Sequence, residues 1–116
     1  LGLSSAASDV YKRQKEISAD ILYEDDLAII INDINPQAPT HLLIIPKKVI
    51  PKLSDATTED KEVLGHLMLL AGKIAEDLGL DETFRLVVNN GAKAGQSVFH
   101  LHLHLLSGRN LSWPPG

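Results

Sequence analysis

The chain has 116 residues, 15 acidic against 11 basic side chains, a formal net charge of −4 and no cysteine. This length suits one domain with a single core, and scattered basic residues in an acidic chain do not favour a nucleic-acid polymer as ligand. The lack of cysteine excludes a disulfide framework, and no apolar run approaches the roughly 18 residues that span a membrane. We therefore expect a cytoplasmic protein that binds neither nucleic-acid polymers nor membranes.

The first residues differ in character from the rest of the chain. Residues 1–13 are mostly small and polar, and their apolar positions follow neither a helical nor a strand period. We predict a disordered or foreign N-terminal extension at 1–13, followed by one domain over 14–116.

Three β-strands are predicted in the first half of the chain. Residues 21–24 and 27–31 are rich in apolar and β-branched side chains around an Asp-Asp pair, so they predict a hairpin. Residues 33–39 contain prolines and polar side chains and predict a loop. Residues 41–46 then form a third strand that ends at its proline, with His41 at its beginning.

One amphipathic helix is predicted over residues 58–78, where apolar residues recur with i, i+3 and i+4 spacing. Thr57 or Thr58 can cap its first turn, and Gly79 suits a left-handed residue just after its end. His66 falls on the polar side of this helix, so we expect its ring to be solvated.

A fourth strand is predicted over residues 84–88 and a fifth over 98–106, with a glycine-containing turn between them. The fifth contains a strict alternation of histidine and leucine. Successive side chains of a strand point to opposite faces, so three imidazoles would share one face while the leucines are buried on the other: those of His100, His102 and His104.

A zinc site is one alternative for such a cluster. His100 and His104 would lie roughly 13 Å apart along a straight strand, whereas zinc needs ligand nitrogens at about 2.0–2.1 Å. The chain has no cysteine, and no carboxylate lies close in sequence to the cluster. We therefore predict no metal and no other cofactor, while stoichiometric zinc with chelator-sensitive activity would support the alternative.

Clustered imidazoles suit nucleophilic attack on phosphorus. A neutral ring is abundant near pH 7, since its unperturbed pKa is about 6.5. Displacing an amine also requires a proton on nitrogen, so one ring attacks while its neighbours carry protons and charge. His102, flanked on both sides, is the predicted attacker. Nearby polar residues could contact phosphate or ribose, but they are equally typical of turns and caps, and spacing alone leaves both readings open: Gln96, Ser97, Asn89 and Asp33.

The sequence at 100–106 resembles the histidine triad pattern, His-φ-His-φ-His-φ-φ. Residues 33–48, residues 87–106 and the ending Trp-Pro-Pro-Gly also resemble the Hint branch of that family, and the similarity runs from Ile17 to the C-terminus. The resemblance implies an α+β fold with a five-stranded antiparallel sheet, one long helix and short helical segments. It also implies a homodimer in which the sheet continues from one copy into the other.

By the same resemblance, the protein would be a purine nucleoside phosphoramidase. Such an enzyme hydrolyses the P–N bond of adenosine or guanosine 5′-phosphoramidates through a covalent nucleotidyl-histidine, without a metal. His102 matches the nucleophile, and His104 matches the histidine that contacts phosphate and leaving group. His41 and His100 match an accompanying proton-relay pair. The implied substrate contacts are Ser97 and Asn89 near the phosphate, Asp33 at the ribose, Ile17, Ile31 and Ile34 at the base, and Trp113, which is expected to reach the partner subunit's site. Gln96 is a further candidate substrate contact, from its position before the histidines.

Two further functions stay open beside this one. A dinucleoside polyphosphate hydrolase is the activity of a sister branch, and relative rates on AMP amides and diadenosine polyphosphates would separate the two; the Trp-Pro-Pro-Gly ending favours Hint. A nucleotide-binding regulatory module is the other. Ser107 stands where the family commonly has glycine, which is expected to affect a turn, and Asn32 leaves the base preference open.

Overall fold

The computed structural model describes residues 21–116, so the predicted extension at 1–13 and Ile17 lie outside the described residues. Within that range the chain forms one antiparallel sheet with strand order β1-β2-β3-β5-β4. This confirms the predicted five-stranded antiparallel sheet with one long helix. The strands are β1 (Ile21–Glu24), β2 (Ala28–Asn32), β3 (Thr40–Pro46), β4 (Arg85–Val87) and β5 (Leu103–Ser107).

The long helix α1 spans Lys61–Asp77 and begins directly after a 3₁₀ turn at Thr58–Asp60. Thr57 caps this turn: its hydroxyl accepts from the Glu59 amide, while the carboxylate of Asp60 accepts from the Thr57 amide at 2.8 Å. Two other 3₁₀ turns lie at Leu53–Asp55 and Ala92–Ala94. Within residues 21–116, no helix combines the length and the apolar character needed to cross a membrane.

Both faces of the central strands are buried, which explains the nearly continuous apolar runs in β2 and β3. One face packs against α1 and carries the main core. The other face carries a second, smaller apolar cluster, made of Ile29, Ile31, Leu43 and Ile45. Leu43 pairs with His104 across the sheet, so His104 projects from this second face. His104 therefore lies on the side of the sheet opposite the helix.

The start of β5 corrects the sequence prediction. The strand begins at Leu103 rather than at residue 98, so His100 and His102 precede it. The reason is the partner strand: β3 ends at Pro46, and the chain before Leu103 instead bonds to the segment beyond it, where the Leu101 amide donates to Ile50 at 2.7 Å. The expectation that all three histidines lie on one strand is therefore wrong, because only His104 belongs to β5.

His66 also differs from its prediction. Instead of being simply solvated, its Nε2 lies 2.5 Å from Asp25 Oδ2, which also accepts from the Tyr23 hydroxyl at 2.7 Å. The other oxygen of Asp25 accepts two amides of the β1–β2 turn. Burial opposes ionisation, but these hydrogen bonds hold the pKa of Asp25 far below its usual range. The cluster joins the β1–β2 hairpin to α1.

Candidate active site

Three histidine rings meet on the second face of the sheet. His41 at the start of β3 and His104 on β5 place Nε2 and Nδ1 2.9 Å apart, with ring centroids separated by 5.2 Å. The ring of His102 lies against His104 with a centroid distance of 5.0 Å in an edge-on arrangement. The structure thus brings together three of the four histidines predicted as catalytic.

The backbone before β5 orients His102. Its Nδ1 lies 2.7 Å from the carbonyl oxygen of His100, which can only accept a hydrogen bond. Nδ1 therefore carries the proton, and the lone pair of the neutral ring is on Nε2. The ring of His100 is 2% exposed, and its Nε2 lies 2.8 Å from the Pro46 carbonyl oxygen. His100 thus anchors the backbone that holds His102.

His41 is fixed on both of its nitrogens. The backbone N–H of Gln37 donates to its Nδ1 at 3.0 Å, while its Nε2 faces His104 and lies 3.4 Å from Asp33 Oδ2. Burial lowers the pKa of His41, with Asp33 acting in the opposite direction. Burial, reinforced by His102 and His41, lowers the pKa of His104 to about 4. Both rings are therefore neutral near pH 7.

The loop before the histidines is held by Gln96, whose side chain is only 4% exposed. Its Nε2 donates to the carbonyl oxygens of Pro51 at 2.8 Å and Val98 at 3.0 Å, and its Oε1 accepts from the Gly91 amide at 2.8 Å. The structure thus places this predicted phosphate contact inside the loop, where its amide organises the backbone. The next residue, Ser97, is exposed.

Asn89 lies across Gly95 at the base of the same loop. Gly95 has a φ of +102°, and a Cβ there would lie 3.5 Å from Asn89 Nδ2. Glycine suits this conformation, because other residues rarely adopt it. Asn89 and Ser97 thus both belong to the loop that leads to His102.

The remaining predicted substrate contacts are spread more widely. Ile31 is fully buried in the apolar cluster of the second face, whereas Ile34 is 62% exposed in the loop after β2. Trp113 is 79% exposed, and in its own chain it lies beside Arg85, whose guanidinium carbon is 5.9 Å from the indole centroid. Arg85 also donates to the Leu111 carbonyl oxygen at 3.0 Å.

Sequence reasoning missed Gln37, the Pro46 carbonyl and Arg85. The first two act through the backbone, so no side-chain signal in the sequence marks them. The sequence does mark Arg85, because it is a charged residue in a short strand whose other residues are apolar.

Among residues 21–116, one group of side chains places its donor atoms within 4.8 Å of one another: Asp33, His41 and His104. Distance alone would allow a cation there. However, a cation on Nε2 of His41 would force the ring proton onto Nδ1, where the Gln37 amide already points. We therefore interpret the group as hydrogen-bonded rather than as a metal centre.

Comparison with known proteins agrees with this arrangement. The sequence matches the HIT domain over residues 14–111. The chain belongs to the HIT domain family. It is 61% identical over 103 residues to an uncharacterised HIT-like protein of Synechocystis, which covers 89% of this chain and 90% of that protein.

Solved HIT structures share the fold. A HIT family hydrolase from Legionella pneumophila is 49% identical, with a TM-score of 0.84, over 89% of this chain and 93% of the other. A histidine triad nucleotide-binding protein from Candida albicans is 30% identical, with a TM-score of 0.73, over 91% and 80% of the two chains. The histidine cluster described above thus lies within a HIT domain.

Proposed function

We propose that this HIT protein hydrolyses the P–N bond of purine nucleoside 5′-phosphoramidates and releases AMP or GMP. The observation that carries the proposal is the hydrogen bond between His102 Nδ1 and the His100 carbonyl, because it leaves a lone pair on Nε2 for attack. The names of the similar proteins, a hydrolase and a nucleotide-binding protein, support both parts of the proposal.

The reaction proceeds in two displacements at phosphorus. In the first, a bond forms between phosphorus and Nε2 of His102, the P–N bond breaks, and the leaving amine takes up one proton. In the second, water attacks phosphorus, the bond to His102 breaks, and the proton lost by that water balances the first. Splitting the hydrolysis in this way replaces one difficult step with two easier ones.

Other side chains of the site suit the phosphate and the nucleoside. His104 stands beside His102 and can hydrogen-bond a phosphoryl oxygen, and exposed Ser97 supplies a second donor. Asp33, half-buried after β2, is proposed to bind ribose hydroxyls, and exposed Ile34 to contact the base. Such fixed donors act best where water is excluded, which the apolar second face favours.

We further propose that the protein works as a homodimer. β4 is the last strand of the sheet, so its outer edge has backbone groups to which a second copy can bond. α1 carries two adjacent exposed apolar side chains, Met68 at 59% and Leu69 at 76% exposure. We expect Leu69→Glu to weaken the dimer, as measured by sedimentation equilibrium, while Lys73→Glu on the same helix leaves it intact.

The decisive test is hydrolysis of an adenosine 5′-phosphoramidate with excess chelator present. We expect release of AMP that His102→Asn reduces at least about a thousandfold while nucleotide binding survives. His66→Asn is the matched control, because His66 is bonded to Asp25 on the other side of the sheet. Activity of His102→Asn within a few-fold of the parent would reject the proposed nucleophile.

The same assay separates the alternatives. Faster turnover of diadenosine polyphosphates than of AMP amides would assign the chain to polyphosphate hydrolysis. Nucleotide binding by a folded protein without turnover of either substrate would favour a regulatory module. Activity that a chelator abolishes and zinc restores would favour a metal-dependent reaction.

A further inference from the structure

The hydrogen bonds around His41 have a fixed direction. An amide N–H can only donate, so the contact from Gln37 requires an unprotonated Nδ1 on His41. The proton of the neutral ring is then on Nε2, which faces His104 Nδ1 at 2.9 Å and the Asp33 carboxylate at 3.4 Å. The carboxylate accepts, and Nδ1 of His104 can accept, so all three contacts are compatible with this tautomer of His41.

The same direction continues into His104. Because Nε2–H of His41 donates to Nδ1 of His104, that nitrogen must hold a lone pair, and the proton of the neutral ring is on the outer Nε2. The Gln37 amide, His41 and His104 thus form a one-way series of donors, and its last ring lies against the ring of His102.

Adding a proton to this series is unfavourable at either ring. A proton on His104 Nδ1 would meet the N–H of His41, and moving that N–H to the other side of His41 would meet the N–H of Gln37. A backbone amide cannot give way by losing its proton, since it has no ionisation at ordinary pH. The series therefore resists positive charge.

We propose that the backbone amide of Gln37 locks His41 and His104 as neutral imidazoles in the free protein, so that His104 meets the substrate as an uncharged N–H donor. This inference rests on the proposed function for its role in turnover, whereas the lock itself is a property of the free protein. Gln37 is a positioning residue, because it acts through His41 and touches neither substrate nor the reacting atoms.

The groups that face the locked pair bear on its protonation. Asp33 faces His41 and favours a cation, and His102 faces His104 and disfavours one. Arg109 donates to the Gln37 carbonyl at 3.1 Å and so helps to hold the amide in place. Among these groups only the carboxylate favours a charged pair, and the Gln37 amide acts together with burial against it.

The direct experiment is ¹⁵N NMR of ring-labelled histidines in the unaltered protein without substrate. From pH 8 down to about pH 5, we expect His41 and His104 to show a protonated Nε2 and a bare Nδ1. A coupling across the hydrogen bond from the Gln37 amide to Nδ1 is expected as well. A protonated Nδ1 on either ring near neutral pH, or bound zinc on Nε2 of His41, overturns the proposal.

A pair of substitutions tests the amide itself. Gln37→Pro removes the N–H, whereas Gln37→Ala keeps it and removes only the side chain. We expect the protonation midpoint of His41 in Gln37→Pro to rise by at least one pH unit over that in Gln37→Ala. Equal midpoints in the two folded variants overturn the proposal, and if Gln37→Pro does not fold, the spectra of the unaltered protein decide.

Kinetics connects the lock to catalysis. Once unlocked, the pair can become charged in acid and bind an anionic phosphate more strongly. Relative to Gln37→Ala, we expect Gln37→Pro to show an unchanged KM at about pH 8 and at least a threefold lower KM at about pH 5.5. A KM ratio independent of pH rejects a role for the lock in substrate binding. Since NMR needs no turnover, the lock and the phosphoramidase proposal can fail separately.

Discussion

The Nδ1 atom of His102 lies 2.7 Å from the carbonyl oxygen of His100, and His100 in turn places its ring Nε2 2.8 Å from the carbonyl of Pro46. The end of β3 therefore determines the orientation of the proposed nucleophile through one buried ring. In this arrangement the buried ring of His100 holds the backbone that orients His102.

This relationship predicts that His100→Ala reduces both stability and turnover. Losing a buried ring and its hydrogen bond should cost about 2–4 kcal/mol of unfolding free energy. A displaced carbonyl should misorient His102 and lower kcat about tenfold to a hundredfold, measured well below the unfolding temperature. His66→Ala is the control, because its ring is half-buried away from the site. An unchanged kcat in a destabilised variant would contradict the link to His102.

Gln96 gives a prediction about the loop. Gln96→Glu keeps the size of the side chain and the acceptor for the Gly91 amide, but it can no longer donate to Pro51 and Val98. The new carboxylate would face two carbonyl oxygens in a buried site. We therefore expect the free energy of unfolding, measured with urea, to fall by at least about 2 kcal/mol. Gln37→Glu is the control, because the side chain of Gln37 is exposed, and it should change the free energy of unfolding little. Equal effects at both positions would refute the structural role.

Much of the fold follows from the sequence, because β1 to β3 and α1 have strong local patterns: β-branched runs, a helical period and the Thr57 cap. The histidine–leucine alternation also buries Leu103 and Leu105 as predicted. It could not reveal where β5 begins, since an extended segment alternates with or without a neighbouring strand. The start of β5 depends on the backbone near Ile50, which lies about fifty residues away in the chain.

The candidate site divides in the same way. His102 and His104 are recognisable because their side chains carry the chemistry. The tautomers of these rings cannot be recognised from the sequence. They depend on the backbone carbonyl of His100 and the backbone amide of Gln37, and such backbone groups are common to nearly all residue types. Gln96 looks the same in sequence whether its amide faces a ligand or its own loop.

Acid should destabilise the protein in a defined pH window. The pKa of His104 is about 4 in the folded protein, below the value of about 6.5 for an unfolded histidine, so the unfolded state binds the proton more readily. This contribution is fully present above pH 6.5 and is lost as pH falls toward 4, at a rate of at most about 1.4 kcal/mol per pH unit. The free energy of unfolding should therefore fall less steeply over this window in His104→Gln. Parallel curves for parent and variant would show that His104 is not held neutral.

Trp113 supplies a direct probe of the C-terminal tail, because it is the single tryptophan of the chain. Arg85 holds the tail by its bond to the Leu111 carbonyl and by its guanidinium beside the indole, a contact worth about 0.5–1 kcal/mol at an exposed site. We expect Arg85→Gln to lower the fluorescence anisotropy of Trp113 and to raise its quenching by acrylamide. Arg109→Gln is the matched control, because Arg109 bonds to Gln37 and Asn110 instead. Identical Trp113 fluorescence in Arg85→Gln and Arg109→Gln would show that Arg85 does not hold the tail. If the tail also determines the preference among leaving amines, the ratio of kcat/KM for two phosphoramidates should change in Arg85→Gln and not in Arg109→Gln.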